Sequence, residues 1–161
     1  DINFSIKDLT LKKPFLVNIG NPHIIFFDDD IEKYDVESFG SLIENDSLFP
    51  EKINVSFAKL KSDNHIVLNV WERGAGKTNA CGTAACATAV AGVEMGLIKN
   101  KVTVTLPGGD LEIYYKSSDN IIMTGPTEIN FTDKYTLWEI KILKKILKYT
   151  SITHEVSVGL K

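Results

Sequence analysis

Cys81 is the residue of this chain best placed to do chemistry. It stands where a glycine-punctuated turn meets a long apolar run, WERGAGKTNACGTAACATAVAGVEMG, at residues 71–96. Ile66–Trp71 is rich in β-branched residues and reads as a strand. Gly74 and Gly76 then allow turn geometry that other residues resist. From about Thr83 to Met95 the pattern reads as a helix, and Gly96 suits the position just past its end. A helix starting there has unpaired N–H groups and partial positive charge at its first turn. A thiol so placed is expected to ionise more readily than the free value of about 8.5. The amides of Gly82 and Thr83 could hold an anionic ligand group. A proton acceptor beside an anion cradle suits proton abstraction next to a carboxylate.

Two other features of the stretch read differently. Cys86 falls inside the helical pattern and is expected to act as a small hydrophobe. Gly74–Thr78, GAGKT, resembles the end of a phosphate-binding loop. The first glycine of that pattern would fall at position 71, which is Trp71, so nucleotide binding is not expected.

The elements that must position Cys81 follow from the rest of the chain. Ala84, Ala85, Cys86, Ala87, Ala89, Val90, Ala91 and Val93 make the helix apolar on every side, which marks it as buried. Their small size would let a sheet wrap closely around it. Strands are expected at Ile2–Ile6, Phe15–Ile19, His23–Phe27, Ile53–Leu60, Val102–Leu106, Leu111–Tyr115, Asn120–Thr124 and Glu128–Phe131. In the strand beginning at Ile53, Val55 and Phe57 alternate with Asn54, Ser56 and Ala58. Asp35 looks like the cap of a short amphipathic helix through Val36, Phe39, Leu42 and Ile43. Asp28–Asp30 reads as a solvated turn. A second amphipathic helix is expected at 137–149, and a strand-like piece at 152–158. Short strands broken by frequent turns suggest an α+β fold, a β-barrel or strongly curved sheet around the central apolar helix.

Composition narrows the function. The chain has 161 residues, enough for one domain with a real core. Net charge is −3, with no extended basic run outside Lys141–Lys148, which argues against a general nucleic-acid binder. No apolar run approaches the roughly 20 residues of a membrane span. The two cysteines lie too close along one helix to favour a disulfide, so a reducing, cytoplasmic setting is expected. His23, His65 and His154 are scattered, and no metal site is expected.

Four landmarks now stand together: GNPH at 20–23, FPEKINV at 49–55, ERGAGKTNACGTAAC at 72–86, and LPGGDLEI through MTGP across 106–126. In this order and spacing they resemble the C-terminal half of diaminopimelate epimerase, over about Phe15–Phe131. The resemblance implies two similar domains, each a β-barrel around a central helix, with the active site between them. It implies interconversion of LL- and meso-diaminopimelate with no cofactor. One cysteine from each domain works on opposite faces of the substrate α-carbon, one as thiolate and one as thiol.

Carried onto this chain, the resemblance makes Cys81 the catalytic cysteine, with Glu72 and His23 assisting. Substrate binding would fall to Asn21, Asn54, Glu72, Arg73, Gly82 and Thr83. Residues 1–134 would form the C-terminal epimerase domain. Residues 135–161 would be a tail without a family counterpart. The N-terminal epimerase domain, with the opposing cysteine, would be the partner needed for a complete site; that cysteine is not among these residues. The chain alone is therefore expected to lack stereoinversion. Lys77 stands where many relatives carry an acid. A homodimer is left open. Related cofactor-independent enzymes of the proline racemase or phenazine-pathway type are the alternative, as is a non-catalytic remnant.

Overall fold

The computed structural model of the protein describes residues 4–6, 9–11, 13–117 and 120–127. The expected strand at 128–131, helix at 137–149 and strand-like piece at 152–158 lie outside them. Asp1–Pro126 makes one compact unit.

Among the described residues β1 (Phe4–Ile6) and β2 (Leu9–Leu11) pair as a separate ribbon. The main sheet contains β3 (Phe15–Asn18), β4 (Pro22–Phe27), β5 (Asn54–Ser62), β6 (His65–Glu72), β8 (Lys101–Leu106), β9 (Gly109–Tyr114) and β10 (Ile122–Thr124). Their order is β10-β9-β8-β6-β5-β4-β3, and β7 (Gly76–Thr78) folds back onto β6. Two neighbouring pairs are parallel, β4 with β5 and β6 with β8. Parallel neighbours need a crossover connection. Helix α1 (Val36–Glu44) lies in the first crossover and α2 (Gly82–Glu94) in the second.

The two helices cover opposite faces of the sheet. Side chains alternate along a strand, so neighbours in sequence feed different cores. On β4, Ile24 and Phe26 pack with Phe39 and Ile43 of α1, while Ile25 packs with the alanines of α2. The α1 face is aromatic, with Phe26, Tyr34, Phe39 and Phe57 in contact at ring separations of 5.4–6.3 Å. Asp35 caps α1 by accepting from the Glu37 amide at 3.2 Å. Around α2, Ile66, Leu68, Val70, Val104 and Leu106 close in, each worth about 1.5–3 kcal/mol of burial. Ala84, Ala85, Ala87, Ala89 and Ala91 are all sealed. The mixed α+β fold is thus a strongly curled half-barrel about the apolar helix, as the sequence led us to expect.

Three details differ from expectation. On β5 the alternation does not mark a solvated face: Asn54, Ser56 and Ala58 are buried together with Val55 and Phe57, because α2 covers one face and α1 the other. β2 and β7 were not anticipated, since three-residue strands carry almost no periodic signal. Asp28 is not merely solvated: it receives Lys33 Nζ at 2.8 Å and the Tyr34 hydroxyl.

Candidate active site

Register and parity bring three polar residues into one row. His23 on β4 pairs with Asn54 on β5. Val55 pairs with Trp71, which sets Asn54 beside Glu72, the last residue of β6. Their strand parity is that of Ile25, Ala58 and Val70, which pack around α2. The row therefore lies on the α2 side of the sheet.

Cys81 is the N-cap of α2, in extended geometry at φ −148° and ψ 105°. The loop before it is held by the β8–β9 turn: the Gly108 amide donates to the Asn79 carbonyl at 2.6 Å. A Cβ on Gly108 would meet that oxygen at 2.8 Å, so only glycine fits. Asn21 enters from the β3–β4 turn, where Gly20 adopts φ 111° and its amide donates to Asn18 Oδ1 at 2.9 Å.

A chain of hydrogen bonds links these parts. His23 Nε2 meets Asn21 Oδ1 at 3.1 Å, so the imidazole donates, because an amide oxygen only accepts. Asn21 Nδ2 donates to Thr83 Oγ1 at 3.3 Å. That leaves the Thr83 hydroxyl proton free for Cys81 Sγ, 3.5 Å away. His23 is completely buried, and its pKa falls to about 4. Burial is the main cause; Glu72 opposes it and Arg73 reinforces it. The imidazole is therefore neutral at physiological pH and orients the Asn21 amide.

Around Asn54 a second set of bonds fixes the site's other edge. Asn54 Nδ2 donates to the Pro22 carbonyl at 2.9 Å, and the Arg73 amide donates to Asn54 Oδ1 at 3.0 Å. Asn54 thus ties the Asn21 turn to the backbone of Arg73. Glu72 Oε1 accepts from Thr78 Oγ1 at 2.6 Å across β6 and β7. Arg73 Nη1 donates to the Glu51 carbonyl at 2.9 Å, and Arg73 forms no ion pair among the described residues. Its remaining donors can grip a carboxylate.

One expectation is corrected. The Cys81 thiol was expected to ionise readily, yet its pKa is raised. Burial is the largest cause, since the residue is only 7% exposed. The Thr83 hydroxyl and Ala84 amide pull the other way, and the negative charge of Glu72 adds to the rise. At rest Cys81 is a thiol, because loss of water around the sulfur outweighs the hydrogen bonds from Thr83 and the Ala84 amide. Cys86 is buried as expected, and both cysteines are free.

All the residues singled out from the sequence thus gather at one end of α2: His23, Asn21, Asn54, Glu72, Arg73, Cys81, Gly82 and Thr83. Arg73 and Thr83 are exposed, Asn21, Glu72 and Gly82 half-buried, and the sulfur lies at the base. The first amides of α2 and the guanidinium of Arg73 are separate points for anionic groups. Thr78, Glu51 and Gly108 support the site but were not singled out beforehand. Gly108 was legible only as part of the LPGGDLEI landmark, and Glu51 acts through its carbonyl, which any residue has. Met123 of β10 was also missed; its sulfur would lie 3.0 Å from a Cβ on Gly82. Among the described residues no group of three His, Cys, Asp or Glu could hold a metal ion, and no helix is long and apolar enough to cross a membrane.

Comparison with known proteins gives a consistent result. The family model for diaminopimelate epimerase matches residues 15–130. Curated diaminopimelate epimerases from Erythrobacter litoralis, Methylocella silvestris and Halothermothrix orenii are 53%, 49% and 50% identical to the chain. The matches cover 75%, 81% and 76% of this chain and 45%, 46% and 43% of those relatives. The chain therefore spans somewhat under half the length of these relatives. A solved phenazine biosynthesis protein of the PhzF family from Bacillus anthracis is 22% identical over 69% of this chain and 35% of its own, with a TM-score of 0.47. On the strength of the family match, which takes in every residue from Asn21 to Thr83 discussed above, the chain belongs to the diaminopimelate epimerase family.

Proposed function

We propose that this chain is one half of a diaminopimelate epimerase and supplies one of the two cysteines that invert the α-carbon. The observation that carries the reading is Cys81 Sγ beside Thr83 at the start of α2, with Glu72 and Arg73 on the adjoining strand end. The substrate α-carboxylate docks on the Gly82 and Thr83 amides, which stabilise charge as it develops, worth about 3 kcal/mol per well-aimed donor. Arg73 offers a forked grip to a carboxylate, and Glu72 faces an ammonium group. Asn21 and Asn54 shape the wall between them.

In one direction the opposing cysteine, as thiolate, takes the α-proton, and the Cys81 thiol delivers its own proton to the other face. The enzyme is left with a thiol opposite and a thiolate at Cys81. The reverse reaction starts from that state. The raised pKa suits Cys81 to wait as the proton donor, and the Thr83 hydroxyl can stabilise the thiolate left behind. His23, neutral and buried, holds Asn21 in place. The proton moves between sulfur and carbon, so the step calls on no cofactor. Inversion needs acid and base on opposite faces of one carbon, so the N-terminal epimerase domain must complete the site.

The test is conversion of LL- to meso-diaminopimelate, followed with α-proton exchange in deuterated water. The expected result is no conversion by this chain alone and restored conversion when an N-terminal epimerase domain is supplied. Cys81→Ala should abolish the restored activity. Full conversion by the Cys81→Ala protein would overturn the assignment.

A further inference from the structure

Glu44 is a buried carboxylate that the proposed reaction does not use. It is the last residue of α1, where the helix dipole disfavours an acid, and the last turn holds no basic residue. It is 4% exposed. A charge in such a place destabilises the fold unless it is fully bonded. Its Oε2 accepts from the Trp71 indole at 2.7 Å. Its Oε1 accepts from the Gly74 amide at 3.0 Å and lies 3.3 Å from Lys52 Nζ. Burial works to raise its pKa, but these three donors outweigh it and the net direction is down.

The partners matter more than the bonds themselves. Trp71 and Gly74 are the residues on either side of Glu72 and Arg73. Lys52, held at φ 60°, stands two residues before Asn54. Gly40 makes the arrangement possible: a Cβ there would lie 2.4 Å from Trp71 Cβ and Cγ. One carboxylate therefore spans both ends of the Glu72–Arg73 pair and the loop that leads into Asn54.

We propose that Glu44 is a positioning residue for Glu72 and Arg73, its two carboxylate oxygens clamping the turn that presents them. Two acceptors are needed because the Trp71 and Gly74 groups are both donors. Glutamine offers one acceptor oxygen, and its amide N–H would face a donor. The inference rests on the reading of Glu72 and Arg73 as substrate-binding.

Amide hydrogen exchange by NMR on the full chain tests the clamp directly. In Glu44→Gln the Arg73 and Gly74 amides should exchange at least about ten-fold faster than in wild type, while residues 85–91 of α2 keep their rates. Replacing Trp71 with Phe removes one donor, so the Glu44→Gln/Trp71→Phe protein should regain much of the protection at Gly74. If Glu44→Gln fails to fold, Trp71→Phe still frees one end and should speed exchange at Arg73 but not in α2. In the protein completed with an N-terminal epimerase domain, Glu44→Gln should raise KM for diaminopimelate by about ten-fold with kcat changed less than two-fold or so. Unchanged exchange at Arg73, or equal acceleration throughout α2, would overturn the proposal. An altered clamp with unaltered KM would overturn it as well. A wild-type protein that does not bind diaminopimelate, yet shows the exchange pattern, would refute the substrate assignment and leave the clamp standing.

Discussion

Acid should loosen this protein through His23. The imidazole is completely buried, donates to Asn21 through Nε2, and has no partner at Nδ1 among the described residues. Burial drops its pKa from 6.5 to about 4, against the opposing pull of Glu72. The unfolded chain takes up a proton as the pH falls through about 6.5, and the folded chain only near 4. Between those values the unfolded state binds more protons, so stability is whole above about 6.5 and drains away toward 4. At about 1.4 kcal/mol per pH unit the gap sets a ceiling of roughly 3 kcal/mol. Relaxation and water penetration around a charged imidazole reduce the burial penalty, leaving about 1–2 kcal/mol. Against a typical total of about 5–15 kcal/mol that is readily measured. The assay is urea unfolding from about pH 7 to about pH 4.5, on wild type and His23→Gln. Glutamine can still offer an N–H to Asn21 but does not titrate. The wild type should lose about 1–2 kcal/mol more than the variant over this range. Parallel loss in the two proteins, or an NMR titration placing His23 near 6.5, would refute the reasoning.

Other substitutions probe the remaining supports. Gly40→Ala would drive a methyl into Trp71, at 2.4 Å, and should cost about 1–3 kcal/mol in urea unfolding; an unshifted midpoint would show that the indole can move aside. Gly108→Ala meets the Asn79 carbonyl at 2.8 Å and should cost a similar amount, about 1–3 kcal/mol, while slowing alkylation of Cys81 as its loop shifts. Thr83→Val removes the hydroxyl facing the sulfur, so iodoacetamide labelling of Cys81 in a Cys86→Ala background should rise at higher pH than in the parent; an identical profile would count against the Thr83 contact. Whether Cys86→Ala itself alters that profile is read from the unsubstituted chain.

Much of this protein was written in local pattern. The small apolar run at 84–93 announced a buried helix, and Gly96 marked its end, where φ is +68°. Asp35 was recognisable as a cap because cap chemistry is settled within three residues. The β4, β5 and β6 strands were legible from their β-branched residues, and Cys81 from its place at the head of α2. The four landmarks pointed to the family that the comparisons then established.

What local pattern left open was decided by packing between distant segments. The sequence put Cys81 in a positive field, but only the fold revealed how far burial removes water from the sulfur. The alternation along β5 does not reveal that a helix covers each side of the strand, which is what buries Asn54. Nothing in the local pattern singles out Glu44; its partner Trp71 lies 27 residues on. The link from Asn21 to Thr83 spans 62 positions. Periodicity and cap chemistry act over a turn or a strand and are therefore written in short stretches of chain. Desolvation and hydrogen-bond partnership depend on what lies across the fold, and that is set only when the sheet curls around α2.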